Sequence, residues 1–224
     1  MAPLFLPVLA DYLSELRYAE DEMKRPPVAD VAVLSDHAFS HHAPIWWGNL
    51  LMIFIEGTAF AILAATYFYI RCNFDAWPPP RTLLPDLGVS SLNLLVIVVS
   101  AAPFWNAARL ALRHERPRVV GAWLALGVLF GVAAIVLRIM EFPALHTRWN
   151  SNAYGTITWT ILAVHFAHLL AGTIQTLLIG LVMFVGPVED KHYADATVMA
   201  VYWYFIVISW VALYAIVFIA PRFI

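Results

Sequence analysis

The chain alternates between long apolar stretches and short polar segments that carry proline, glycine and charged residues. Each of five apolar stretches is long enough, as a helix rising about 1.5 Å per residue, to cross a hydrocarbon core of about 30 Å. The pattern therefore predicts an all-α fold, an integral membrane bundle of five transmembrane helices. They are expected at about residues 45–70, 89–112, 119–140, 156–185 and 197–219.

Composition supports a membrane protein and narrows its chemistry. Of the 224 residues, 62% are hydrophobic and only 12% charged, which is about half the charged fraction of a soluble domain. Residues 1–44 are more polar and predict an N-terminal arm, followed by a five-helix membrane domain at 45–222. Cys72 is the only cysteine, which excludes an internal disulfide and a thiolate metal cluster. No basic tract or phosphate-binding loop points to nucleic acid.

Lysine and arginine predict the orientation, because they are enriched in the cytoplasmic loops of membrane proteins. The short loop between the second and third spans carries Arg109, Arg113, Arg116 and Arg118, and it lies on the same side of the membrane as the N-terminus. We therefore predict a cytoplasmic N-terminus.

One acid, Glu56, lies near the middle of the first apolar stretch, IWWGNLLMIFIEGTAFAILAATYFYI. Placing an ionisable side chain at that depth in the bilayer costs on the order of 3 kcal/mol, so Glu56 is a candidate functional residue. One interpretation is a group that exchanges protons. The other is a protonated acid that donates a hydrogen bond to a neighbouring helix. The sequence leaves both open.

The fourth stretch contains His165 and His168, whose i, i+3 spacing places both on one helix face. Two imidazoles on one face would suit a metal site or a proton relay, but a metal site needs a third and usually a fourth ligand. We therefore favour hydrogen-bonded packing histidines and expect no metal in this chain.

The third stretch ends on Arg138 and Glu141, also spaced i, i+3. Opposite charges at this spacing can form an ion pair on one helix face. We expect this pair at the membrane interface.

Beyond these patterns, four segments occur in the order found in subunit III of the haem–copper cytochrome c oxidases, which the chain resembles from about residue 44 to residue 221. The first is IFIEGTAFAILAATYFYIR with the WPP linker that follows, and the second is VVGAWLALGVLFGVAAIVLRIMEF after the arginine-rich loop. The remaining two are His165-x-x-His168-x-x-x-Gly172 and Tyr202-Trp203-x-Phe205 with Trp210.

The resemblance implies the five-helix form of that family, with residues 1–44 in place of the first two helices of its longer members. Glu56 matches the family's carbodiimide-reactive carboxylate. We expect it to be a buried acid that exchanges a proton or donates a hydrogen bond, with His165 and His168 as its inter-helix partners. The motif residues expected to pack helix against helix are Gly172, Tyr202, Trp203, Phe205 and Trp210.

The resemblance also implies the function. Family members carry no redox centre of their own, and haem and copper lie in partner subunits. Subunit III packs mainly on subunit I, within a complex that includes subunit II. It holds structural phospholipids, supports proton uptake and protects the oxidase from inactivation during turnover. By resemblance, this chain is a non-catalytic subunit of a proton-pumping terminal oxidase in a bacterial inner membrane.

Three alternatives stay open at this point. The chain would also fit subunit III of a quinol oxidase, or the related five-helix accessory protein of a nitric oxide reductase. An independent transporter is a third class, but the sequence shows no inverted repeat and no paired charges within the membrane spans, which transporters of that kind use.

The chain departs from the family pattern at several positions. Tyr204 and Val207 occupy places where the family usually has histidine and aspartate, and Thr197 occupies the place of a glutamate. Gly88 and Val89 replace an Asn-Thr pair at the start of the second helix. These differences indicate a divergent subtype.

Overall fold

The fold comes from a computed structural model that describes residues 44–223. The predicted arm at 1–44 lies outside the described residues, apart from Pro44, where the first helix begins. Past the last long helix the chain continues through a π-helical turn at Ala215–Ile219 and a 3₁₀ turn at Ala220–Arg222. The five long helices, α1 to α5, are Pro44–Arg71, Leu87–Ala111, Pro117–Ala144, Ala153–Val185 and Asp190–Tyr214.

All five helices are long and apolar enough to cross a membrane. Residues 44–223 form helices, turns and bends, without a strand. The prediction of an all-α bundle with five membrane spans is therefore confirmed, and the orientation of the N-terminus stays a prediction.

The last helix begins earlier than the sequence indicates. Its polar start, DKHYADA, was expected to be a connection, but α5 begins at Asp190. The cause is packing, because Tyr193 and Ala196 join a buried cluster with residues of α2 and α3. The Tyr193 hydroxyl also donates a hydrogen bond of 2.9 Å to the Glu115 carbonyl. Glu189 lies just before the helix and is exposed. Lys191, in the first turn, lies 2.7 Å from the Glu189 carboxyl and lowers its pKa.

The helices do not pack equally. α4 and α5 pack on each other and α3 packs on α4, while α2 packs on α3 and α5, and α1 packs on α4 and α5. We compare the buried share of the most apolar stretch of each helix. This share is 11% in α1 and 44% in the helix that starts at Asp190. α1 is therefore an edge helix, and much of its apolar surface is left for lipid or a partner.

The centre of the bundle is built around Trp203, which is fully buried on α5. Its ring stacks on Phe104 of α2 at 4.3 Å, and its Nε1 donates a hydrogen bond of 2.8 Å to the Ser100 hydroxyl. Gly131 and Gly172 leave the space that the indole fills, since a Cβ on them would lie 3.2 Å and 3.4 Å from its ring carbons. Small residues let helix backbones approach closely in membrane bundles.

The start of α4 is fixed by a capping contact and a close backbone approach. The Asn152 side chain accepts a hydrogen bond of 2.7 Å from the Gly155 backbone N–H, which satisfies one unpaired donor of the first helical turn. A Cβ on Gly155 would lie only 2.3 Å from the Arg148 carbonyl oxygen. The obstacle is backbone, so it cannot be relieved by rotating a side chain.

We therefore expect Gly155→Ala to destabilise the chain by about 1–3 kcal/mol, the usual cost of overpacking. Gly57→Ala is the matched control, because its nearest neighbour, a Phe205 ring carbon, lies at an ordinary 3.6 Å. Pulse proteolysis across an SDS titration, with the surviving chain detected by a tag, measures both. Equal midpoints for the two alanine variants would show that the close approach has no energetic role.

Candidate functional site

Glu56 of α1 faces His168 of α4, with 3.6 Å between Glu56 Oε2 and His168 Nε2. The other ring nitrogen, Nδ1, lies 2.6 Å from the Val164 carbonyl, which can only accept, so Nδ1 carries a hydrogen. Nε2 is then the nitrogen that faces the Glu56 carboxyl. A single proton held between Nε2 and the carboxyl would satisfy both atoms, and Glu56 Oε2 has no hydrogen-bond partner within residues 44–223.

This pair is less buried than the sequence predicts. The side chains of Glu56 and His168 are 21% and 17% exposed. The expectation of a buried Glu56 is therefore corrected to a partly exposed acid at the seam between α1 and α4. The physical reason is the edge position of α1, which packs only on α4 and α5.

A cleft of about 480 Å³ lies at the end of the bundle where α1 begins, and most of its lining is apolar. Its polar lining residues come from three helices: Asn49 of α1, Gln175 of α4, and Asp195 with Tyr202 of α5. The Tyr202 side chain also interacts with the Glu56 carboxyl.

On each of these three helices, a polar residue of the cleft lies seven positions from a polar residue at the Glu56 seam. Asn49 lies seven positions from Glu56, Gln175 seven from His168, and Asp195 seven from Tyr202. Seven residues are about two helical turns, or roughly 10 Å along the axis. The three helices therefore place two polar layers one above the other, which gives Glu56 a polar approach from the bundle end. Sequence reasoning missed Asn49 and Gln175, although the spacing repeated on three helices was a usable signal.

His165 does not contact Glu56, so its predicted role as a partner of that acid is corrected. Its Nε2 lies 3.0 Å from the Ile206 carbonyl and its Nδ1 lies 3.1 Å from Arg138 Nη2. A carbonyl only accepts and a guanidinium only donates, so the contacts fit the neutral tautomer with hydrogen on Nε2. His165 thereby joins α4 to α3 and α5.

Arg138 and Glu141 form the predicted ion pair, at 2.5 Å, but both side chains have no exposed surface. The pair therefore lies in the interior of the bundle, in the last two turns of α3. Its location at the membrane interface stays a prediction. The Arg138 guanidinium also lies over the Trp210 ring, 3.4 Å from its centroid, a cation–π contact that offsets part of the desolvation of the charge.

The motif residues lie mainly in the interior, including Tyr202. Trp203 and Trp210 have no exposed surface, and Gly172 is buried. Phe205 is half-buried and packs beside Phe60 of α1, with 6.0 Å between the ring centroids. These positions agree with packing roles.

The described residues contain no group of three or more His, Cys, Asp or Glu side chains arranged to hold a metal ion. The two ionisable clusters are different in kind. The ion pair of the cluster around Arg138 has no exposed surface, whereas Glu56 and His168 are partly exposed.

Comparison with known proteins identifies the family. Residues 19–221 match the family model described as cytochrome c oxidase subunit III. The chain is 21% identical over 178 residues to cytochrome c oxidase subunit 3 of Synechocystis, which covers 77% of the chain and 74% of that protein. It is 23% identical over 188 residues to the probable cytochrome c oxidase subunit 3 of Mycobacterium bovis, covering 81% of the chain and 91% of the relative.

Subunits of quinol oxidases occur among the relatives as well. The cytochrome bo(3) ubiquinol oxidase subunit 3 of Pseudomonas putida is 22% identical over 175 residues, which covers 77% of the chain and 84% of that protein. The family match spans all five helices and the segments around Glu56, Arg138 and Trp203. The chain belongs to the cytochrome c oxidase subunit III family of haem–copper oxidase subunits.

Proposed function

We propose that this chain is the non-catalytic subunit III of a proton-pumping haem–copper terminal oxidase in a bacterial cytoplasmic membrane. The observation that carries the proposal is the family match across residues 19–221. In this assembly haem and copper in partner subunits reduce O₂ with electrons from cytochrome c. The chain stabilises subunit I, its main contact, lies in a complex with subunit II, and holds structural phospholipids.

The Glu56–His168 pair is the group through which the chain supports proton uptake in this proposal. Three features support it: the 3.6 Å separation, the partial exposure of both side chains and the polar residues in the lining of the neighbouring cleft. Asp195 at the cleft and Tyr202 beside Glu56 provide a route on which a proton can pass from water to the pair. His165 is excluded from this group because its ring is engaged by Arg138 and Ile206.

A quinol oxidase is the second candidate, supported by the relative from Pseudomonas putida. Purification of the complex through a tag on this chain, in a mild detergent, separates the candidates. We expect haem and copper in the purified complex, with cytochrome c as its electron donor. Oxidation of quinol in place of cytochrome c would favour the second candidate. A partner with non-haem iron would favour a nitric oxide reductase, and a chain that purifies alone would contradict the proposal.

Glu56→Gln is expected to leave the complex assembled and its initial rate of O₂ reduction nearly unchanged. The amide cannot exchange a proton with His168, so we expect faster inactivation during sustained turnover. The measurement is O₂ consumption followed until the enzyme stops, together with the haem content of the purified complex.

Glu115→Gln is the matched control, because Glu115 is an exposed acid in the loop between α2 and α3. It should inactivate at the wild-type rate. Loss of the haem-bearing partner from the Glu56→Gln complex would contradict the assigned role, since it would make Glu56 an assembly residue.

A further inference from the structure

A second cleft, of about 990 Å³, lies at the end of the bundle opposite the start of α1. Its walls come from the linker between α1 and α2, the end of α3, the loop at 145–152 and the first turns of α4. Two hydrogen bonds hold these parts together. The Asn152 side chain donates one to the Thr82 hydroxyl at 3.1 Å, and the Asp86 backbone N–H donates one to the Ala144 carbonyl at 2.9 Å.

The cleft is positively charged. Arg81 and Arg148 line it, both exposed, and no carboxylate residue does. Within residues 44–223 neither guanidinium makes a hydrogen bond or an ion pair. The third basic lining residue, His146, is already paired with Asp86, with 3.0 Å between Nε2 and Oδ2. Two cations without a counter-charge therefore share one cleft.

One side of the cleft is apolar and continues into the membrane. Ile139 and Phe142 line it from α3, and Phe142 packs on the Trp159 ring at 4.7 Å. From Ile139, 57% exposed, an exposed strip continues down α3 through Val136, Val132 and Leu129, which are 52%, 49% and 66% exposed. Leu129 and Ile139 are ten positions apart, so the strip extends about 15 Å, half the thickness of a hydrocarbon core.

The backbone around the cleft is also unusual. Arg81 and His146 have φ of 72° and 52°, and residues other than glycine rarely adopt such positive values. Conformations of this kind persist only where the surroundings enforce them, and they cluster at ligand sites. The Trp149 ring is 62% exposed at the cleft, and tryptophan is enriched at the level of lipid headgroups in membrane proteins.

We propose that this cleft binds one anionic phospholipid, with its phosphate on Arg81 and Arg148 and an acyl chain along the strip on α3. Guanidinium groups suit phosphate because they offer several N–H donors in one plane. The apolar strip selects a lipid over a soluble anion. The inference rests on the lipid-binding part of the proposed function, to which it gives a site and a headgroup class.

The test uses the purified complex and the variant Arg81→Gln/Arg148→Gln. Phosphatidylglycerol and phosphatidylcholine are titrated separately and counted on the intact complex by native mass spectrometry. Each cation near an anionic lipid contributes about fivefold in affinity, so we expect phosphatidylglycerol binding to weaken roughly twenty-five-fold. Phosphatidylcholine binding should weaken much less, because its choline cation offsets the charge of the phosphate.

A double variant at the opposite end of the bundle, Arg113→Gln/Arg116→Gln, removes the same charge and should bind phosphatidylglycerol as the wild type does. Equal loss in both double variants would overturn the site, because it would reflect net charge alone. Displacement of the lipid by inorganic phosphate would overturn the lipid assignment in favour of a soluble anion. Loss of a protein subunit from the Arg81→Gln/Arg148→Gln complex would overturn it in favour of a protein contact.

The absorption spectrum of the same samples distinguishes a failure of the lipid-site proposal from a failure of the oxidase proposal. Haem bands with unchanged lipid binding in Arg81→Gln/Arg148→Gln would reject the cleft and leave the oxidase assignment intact. Absence of haem from the wild-type complex would instead reject the oxidase assignment.

Discussion

Arg138→Met is expected to destabilise the bundle by about 3–5 kcal/mol, the usual cost of removing one partner of a buried ion pair. The pair has no exposed surface, so water cannot take over the role of the guanidinium for Glu141. The same substitution removes the donor to His165 Nδ1 and the cation over the Trp210 ring. Pulse proteolysis across an SDS titration of the purified complex, with detection of this chain alone, provides the measurement.

The control is the double variant Arg138→Met/Glu141→Leu, which removes both charges. Replacing a whole buried ion pair by apolar side chains is often close to neutral, so the double variant should unfold at a higher SDS fraction than Arg138→Met. A remaining loss of about 1–3 kcal/mol is expected from His165, whose Nδ1 is left without a donor. If the double variant is as unstable as the single one, the unpaired acid is not the cause.

The sequence predicts the membrane spans well because the bilayer imposes them. A span must be long, apolar and helical, and those requirements are visible in the order of residues. Helix ends are harder to predict when they project beyond the apolar stretch. The start of α5 at Asp190 depends on Tyr193 packing under the loop between α2 and α3, which no local pattern reveals.

The burial of individual polar residues could not be predicted in the same way. All faces of these helices are apolar, so periodicity does not distinguish the lipid side from the core side. Glu56 was expected inside because it is a lone acid in mid-span, whereas the edge position of α1 leaves it partly exposed. Arg138 and Glu141 were expected to pair because of their spacing, but the sequence did not indicate that both side chains would have no exposed surface.

In the proposed function, the two polar clusters divide stability from proton exchange. Arg138, Glu141 and His165 each have a partner within the interior, and every contact joins neighbouring helices or turns. Glu56 and His168 lie 3.6 Å apart and are partly exposed. A closed cluster resists water and fixes helix positions, whereas we propose that the partly exposed one exchanges protons. Mutations in the first are therefore expected to affect folding, and mutations in the second to affect turnover.

Trp203→Ala is expected to cost about 3–5 kcal/mol, because the indole fills a space that no other side chain can reach. The ring stacks on Phe104 and fits against Gly131 and Gly172, so alanine would leave a cavity between α2, α3 and α4. Transfer to lipid contributes little to this cost, since the bilayer is as apolar as the core, and lost packing contacts account for most of it. The SDS midpoint from pulse proteolysis measures it.

Two further variants separate the cavity from the hydrogen bond. Trp203→Phe keeps a ring against Phe104 but loses the N–H donor to Ser100, whose hydroxyl still bonds the Ile97 carbonyl at 2.6 Å. Its cost should therefore be about 1 kcal/mol for the lost hydrogen bond plus that of a smaller cavity. Trp105→Ala, at a ring that is 63% exposed on α2, should be nearly neutral. A Trp203→Phe variant as unstable as Trp203→Ala would mean that the hydrogen bond, and not the filled volume, holds α2 and α5 together.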